Sequence, residues 1–154
     1  TGLVSLSQST YGSTSVAALA VAAHEIGHVM QHQEGYIPIK IRNAILPAAS
    51  IGSTAAPYIV ILGAIMGSYN LAMIGVYLFL AMLIFQIVTL PVELNASSRG
   101  LEMLESGGYI SYDQRGDAKA VLKAAAMTYI VAALSTLVSF LRLLMIANNS
   151  RRRN

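Results

Sequence analysis

The chain has 154 residues, no cysteine, a hydrophobic share of 55% and a mean hydropathy of +0.60, well above the soluble range. A disulfide scaffold and a thiolate metal site are therefore excluded. The formal charge of +3 comes from basic residues that flank apolar segments, with no aromatic-interleaved basic surface, so composition gives no support to nucleic-acid binding. The expectation is a single all-α membrane domain over residues 1–154, with about three transmembrane helices and one further helix at the membrane boundary.

Leu3 to Ser7, "LVSLS", alternates roughly and predicts a short edge strand, followed by a serine- and threonine-rich loop through Ser15. Ser13, Thr14 or Ser15 can then cap a helix over 16–34, because a short hydroxyl satisfies an exposed amide of the first turn. Its opening "VAALAVAA" makes it slim enough for close neighbours. Gly35 and Pro38 end it, and "KIRN" leads on with Lys40 and Arg42 at the membrane boundary.

From Asn43 to Val92 there is no Asp, Glu, Lys, Arg or His. A spanning helix needs about 20 apolar residues, so this run holds two, read as 44–66 and 71–92, joined by the "GSYN" turn. Pro47 and Pro57 are expected to kink the first. Glu93 then opens a helix over 93–105 that stops at Gly107 and Gly108, and "SYDQRGD" forms a polar loop and helix start with Asp113 as cap. The last span is 118–147, with Arg142 snorkelling near its end and "RRRN" beyond it.

Chemistry concentrates in "AAHEIGHVMQHQ", residues 22–33. Residues four apart share one helical face about 6 Å apart along the axis, so His24 and His28 can converge on one metal ion while Glu25 addresses its water. A plain polar surface face is the bland alternative. It would bury Glu25 on an otherwise nearly uncharged helix without a partner, a costly arrangement. With no cysteine, zinc would be held by nitrogen and oxygen, and a catalytic zinc takes three protein ligands.

The candidates for the third ligand are His32, Glu34, Glu93, Glu102, Glu105, Asp113 and Asp117. His32 lies roughly 12 Å from His24 along the same helix, too far to share the ion, and Glu34 is farther still. Gln31 and Glu34 stand where a metzincin would have glycine and histidine. Glu93 is the best remaining choice, because an ionisable group at a membrane boundary needs a strong partner. The alternative for Glu93 is an interfacial ion pair with Arg99 or Lys40, and Glu102 and Glu105 read as solvated positions.

Asn95 and Arg99 are candidates to orient the Glu93 carboxylate. Arg99, Tyr109, Tyr112 and Tyr129 are candidates to stabilise an oxyanion. Ala96, Ser97 and Ser98 are small enough to let the Glu93 helix approach the histidine helix. The strand at Leu3 to Ser7 could pair with an extended peptide substrate.

"VAAHEIGHVMQ" followed by "FQIVTLPVELNASSRGLEML" resembles the bacterial family described as putative neutral zinc metallopeptidases, small membrane proteins with three or four spans. The likeness runs over essentially the whole chain. Its second block, with "TLPVE" and "NAS", is the more specific, since the histidine motif is shared by many peptidases. The resemblance implies a gluzincin-like site with His24, His28 and Glu93 on zinc and Glu25 as catalytic base, one Zn2+ per chain, and a peptide or membrane-protein substrate in contact with the lipid bilayer. It also implies a further span ahead of Thr1.

Two other classes stand beside the peptidase: a metal-binding scaffold or ion-handling membrane protein, which would not require Glu25, and a metal-free partner-binding bundle. Lys40, Arg42, Arg99, Arg115, Lys119 and Lys123 put the site on the cytoplasmic side of a bacterial cell membrane. "RRRN" on the opposite face runs against that count and is outvoted by it.

Overall fold

The computed structural model describes residues 3–152. Among these described residues six helices follow one another: α1 (Gln8–Tyr11), α2 (Val16–Gln33), α3 (Ile37–Thr54), α4 (Ala56–Ile65), α5 (Tyr69–Ser106) and α6 (Tyr112–Arg152). Among the described residues there is no strand. The expected edge strand at Leu3 to Ser7 is instead a stretch without regular structure, because a strand exists only with a partner to share its hydrogen bonds and none lies beside it. Part of the expected loop is helical, with the Ser7 hydroxyl accepting from the Thr10 amide to start α1.

Ser15 is the cap of α2, its hydroxyl accepting from the Ala18 amide at 3.2 Å. The helix ends where the Tyr36 amide reaches back to the Gln31 carbonyl at 2.9 Å and Gly35 takes φ +69°, a left-handed conformation that glycine enters without steric cost. Pro38 does not end anything. It falls in the first turn of α3, where a proline is tolerated because that amide has no partner in the helix, and "KIRN" is helical.

The expected first span is two helices. Pro47 is accommodated inside α3, whereas Pro57, in the first turn of α4, marks a break at which the axis bends by 47°. α5 differs from expectation in the other direction: no break precedes Glu93, and one helix of 38 residues runs through Pro91. Proline inside a helix removes its own amide bond and crowds the preceding turn, a loss that packed membrane helices absorb. α6 begins with a capping box in which the Gln114 amide donates to the Ser111 hydroxyl and the Ser111 amide donates to the Gln114 side-chain oxygen. The cap is therefore Ser111, and Asp113 sits inside the first turn.

The chain divides into two compact units. One comprises the residues up to Lys40 with Leu90–Tyr129, the other Ile41–Thr89 with the residues from Ile130 on, so α5 and α6 contribute to both. The first packs Ala20 and Ala23 of α2 against Leu104, Ile110, Ala118 and Leu122. The second packs Ala56, Val60, Ala72, Val76 and Phe79 with Leu143 and Ala147. α5 and α6 are long and apolar enough to cross a membrane, and α3 with α4 makes a third crossing if the bent pair is one span. Exposed Ile51, Ile61, Leu62, Ile74, Val131 and Val138 are the kind of surface that lipid, rather than water, solvates.

Candidate metal centre

The first unit holds a site built from α2 and the Glu93 segment of α5. Gly27, inside the histidine motif, faces Ala96, and a Cβ at Gly27 would overlap the Ala96 carbonyl. One turn away Gly100 faces the Ala23 carbonyl and the His24 amide in the same way. Two helices that meet backbone to backbone bring even short side chains on either side of the crossing into contact.

The consequence is a three-residue cluster. Nε2 of His24 lies 3.1 Å from Oε2 of Glu93, and Nε2 of His28 lies 3.4 Å from the same oxygen. Ligand atoms of His24, His28 and Glu93 all fall within 4.8 Å of one another. Glu93 is 3% exposed, while the two imidazoles are partly open. A tetrahedral ion with bonds of about 2.0–2.1 Å has donor–donor edges of about 3.3 Å, so the distances from each imidazole to the Glu93 oxygen, and the nitrogen and oxygen donor set, suit zinc. The Glu93 hydrogen bond raises the pKa of His28 above its ordinary value, partly opposed by burial and reinforced by Gln31.

The rings are held from behind. Nδ1 of His24 lies 2.9 Å from the Ser97 hydroxyl, and Nδ1 of His28 lies 3.0 Å from Oε1 of Gln31. Gln31 donates to the Val92 carbonyl at 2.8 Å and to Oδ1 of Asn95 at 3.0 Å. The same Asn95 oxygen accepts from Nε of Arg99 at 2.7 Å, and Arg99 pairs with Glu34 at 2.6 Å while its guanidinium lies over the Tyr36 ring. Asn95 and Arg99 thus belong to a chain of hydrogen bonds that reaches His28 through Gln31. Sequence reading missed Gln31 and Ser97 as supports for the rings. Gln31 carried a signal, since it stands three residues beyond His28 and so shares its face.

Glu25 is not buried as the uncharged helix suggested but exposed, because its side of α2 faces a cleft of about 510 Å³ that it lines together with Leu3, Val4, Ser5, His28, Val29, His32 and Gln33. His32 is one turn beyond His28 on that cleft, exposed, and not part of the three-residue cluster. Glu102 is exposed and Glu105 pairs with Arg115 at 2.7 Å. Among the tyrosines offered as oxyanion donors, Tyr109 and Tyr112 are exposed, and Tyr129 is half-buried on α6.

A sequence profile of the family described as "Putative neutral zinc metallopeptidase" matches residues 1–148. A protein of Bacillus subtilis (strain 168) described as "Putative membrane protease YugP" is 43% identical over 152 residues, covering 99% of this chain and 68% of that protein. No solved structure matches the chain. With a family match over nearly its full length and a metal-competent His, His, Glu cluster within it, this chain belongs to the putative neutral zinc metallopeptidase family.

Proposed function

We propose that the chain is a zinc-dependent membrane peptidase that hydrolyses peptide bonds of proteins or peptides at or near the bilayer, with a gluzincin-like arrangement of His24, His28 and Glu93 as ligands and Glu25 as general base. The observation that carries the reading is the convergence of two imidazole nitrogens on one buried carboxylate oxygen, all within 4.8 Å of one another, beside a cleft that Glu25 lines. Zinc, when bound there, supplies a Lewis acid that activates water and polarises the scissile carbonyl.

The remaining work falls to side chains. Glu25 takes a proton from the attacking water as the new C–O bond forms, and returns it to the leaving nitrogen as the C–N bond breaks. Its exposure on the cleft wall puts it within reach of a substrate. Ser97 and Gln31 hold the two rings, so the donor atoms need not be ordered when the ion arrives. Tyr129 and Arg99 are the residues to test as stabilisers of the developing oxyanion.

The test pairs metal content with turnover of a fluorogenic peptide in detergent or vesicles. Glu25→Gln is expected to keep its zinc and lose activity by about 10²- to 10⁴-fold. Full activity in E25Q removes the base assignment. A wild-type chain that binds zinc and cleaves no peptide favours the scaffold or ion-handling reading. The site is proposed on the cytoplasmic side, from the basic residues Lys40, Arg42, Arg99, Arg115, Lys119 and Lys123. A tag inserted within 111–117 should then be protected from protease added outside intact cells.

A further inference from the structure

We propose that Gln31 is a positioning residue for the metal site: it holds the hydrogen on Nδ1 of His28 and thereby leaves the lone pair on Nε2 of that ring, beside the Glu93 oxygen, free to bind the ion. The inference rests on the zinc reading above. Gln31 is fully buried, which is uncommon for a residue with two donors and two acceptor positions to satisfy, and its amide makes three hydrogen bonds, using both ends.

The polarity of the chain can be worked out from its fixed end. Arg99 has only donors, so the Asn95 atom it meets at 2.7 Å is the carbonyl oxygen. The Gln31 atom that meets this same oxygen at 3.0 Å must then be the amide nitrogen. The Val92 carbonyl, which can only accept, demands the same assignment at 2.8 Å. What remains to face His28 is Oε1, an acceptor, and at 3.0 Å it requires a proton on Nδ1.

His24 lacks such a constraint. Its Nδ1 meets the Ser97 hydroxyl, which can donate or accept, so nothing behind that ring dictates where the proton sits. Gln31 also ties the His28 ring to the Val92 carbonyl, the peptide immediately before Glu93, so one side chain references two of the three ligands to each other.

The experiment measures zinc affinity by chelator competition, and the His28 ring by ¹⁵N-edited NMR of the zinc-loaded full chain in micelles. Gln31→Leu is expected to weaken zinc binding by about 10- to 100-fold and to lose the slowly exchanging Nδ1–H signal of His28. Gln31→Glu keeps an acceptor facing Nδ1 but loses the donor to the Val92 and Asn95 oxygens, so it should retain that signal and bind zinc more tightly than Q31L and less tightly than the wild type. A packing role alone would make Q31E at least as damaging as Q31L, because it buries a charge.

Zinc held as tightly by Q31L as by the wild type overturns the role of Gln31. Should Q31L fail to fold, the unaltered chain decides: a zinc-loaded wild type whose His28 Nδ1–H exchanges as fast as an exposed imidazole also overturns it. A wild-type chain that holds no zinc removes the metal reading and this one with it, an outcome plainly different from intact zinc binding in Q31L.

Discussion

Both compact units bring helices into backbone contact through glycine. In the unit that carries the histidines, Gly27 meets Ala96 and Gly100 meets Ala23; in the other, Gly52 meets the Leu78 carbonyl, Gly63 meets Ala72 and Gly75 meets Val60 and the Ala56 carbonyl. The packing device is the same, and its neighbours differ. Around Gly27 and Gly100 stand His24, Gln31, Glu93, Asn95 and Ser97, while around the other glycines stand Ala56, Val60, Ala72, Val76 and Phe79. Close approach sets a distance. Whether that distance makes a site or a core is decided by the side chains one position away.

The comparison breaks most completely at Glu93. Replacing it with alanine removes the one anionic donor and leaves two imidazoles on one helix, too few for a closed site, so zinc per chain should fall from about one to below a tenth. Thr89→Ala, four residues earlier on α5, removes a hydroxyl that donates to the Phe85 carbonyl and should leave zinc content unchanged. Equal metal loss in both variants would mean that α5 is simply intolerant of substitution.

Glycine variants sharpen it further. Gly27→Val and Gly63→Val each force a side chain into a neighbouring backbone and should each destabilise the chain by about 1–3 kcal/mol. Only the first should also lower zinc affinity in the fraction that remains folded. A smaller effect follows from His28, whose pKa is raised by Glu93. In the zinc-free chain this pairing stabilises below the unfolded value of about 6.5 and fades as pH rises through the higher folded value. Zinc requires the unprotonated ring, so its affinity should climb over that same rise. Titration with a chelator at several pH values checks the sign. The smallest change is expected for Glu34→Ala, which removes a half-exposed partner of Arg99 and should cost at most about 1 kcal/mol in thermal denaturation, with zinc retained.

Much of this was legible in the sequence, for identifiable reasons. Charge depletion from Asn43 to Val92 is a one-dimensional signal, as bilayers demand long apolar runs, and it points to the apolar helices and to Glu93 as the residue that ends the run. The start of α2 at Val16 is equally local, fixed by Ser15. Sequence reading places the cap of α6 at Asp113, whereas the reciprocal bonds between Ser111 and Gln114 put it at Ser111, because which polar residue caps a helix depends on the turn its partners close. The strand at Leu3 to Ser7 failed because pairing is a property of two segments and alternation in one cannot reveal the absence of the other. Gln31 and Ser97 failed for a related reason: an amide or hydroxyl has no intrinsic role, and acquires one only from what faces it across the α2–α5 crossing.

Gly27 also changes what the five-letter motif means in this chain. The two variable letters between Glu25 and His28 are not equivalent: Ile26 is free of the constraint, whereas the letter after it must lack a side chain for a second helix to deliver its carboxylate. Anyone transplanting the site onto a designed helical pair would therefore have to carry four fixed letters and the small residue opposite them, Ala96, as one cassette. Copying the two histidines and the glutamate alone would reproduce the spelling and leave the third ligand stranded at ordinary helix-to-helix separation, about 8–10 Å between axes.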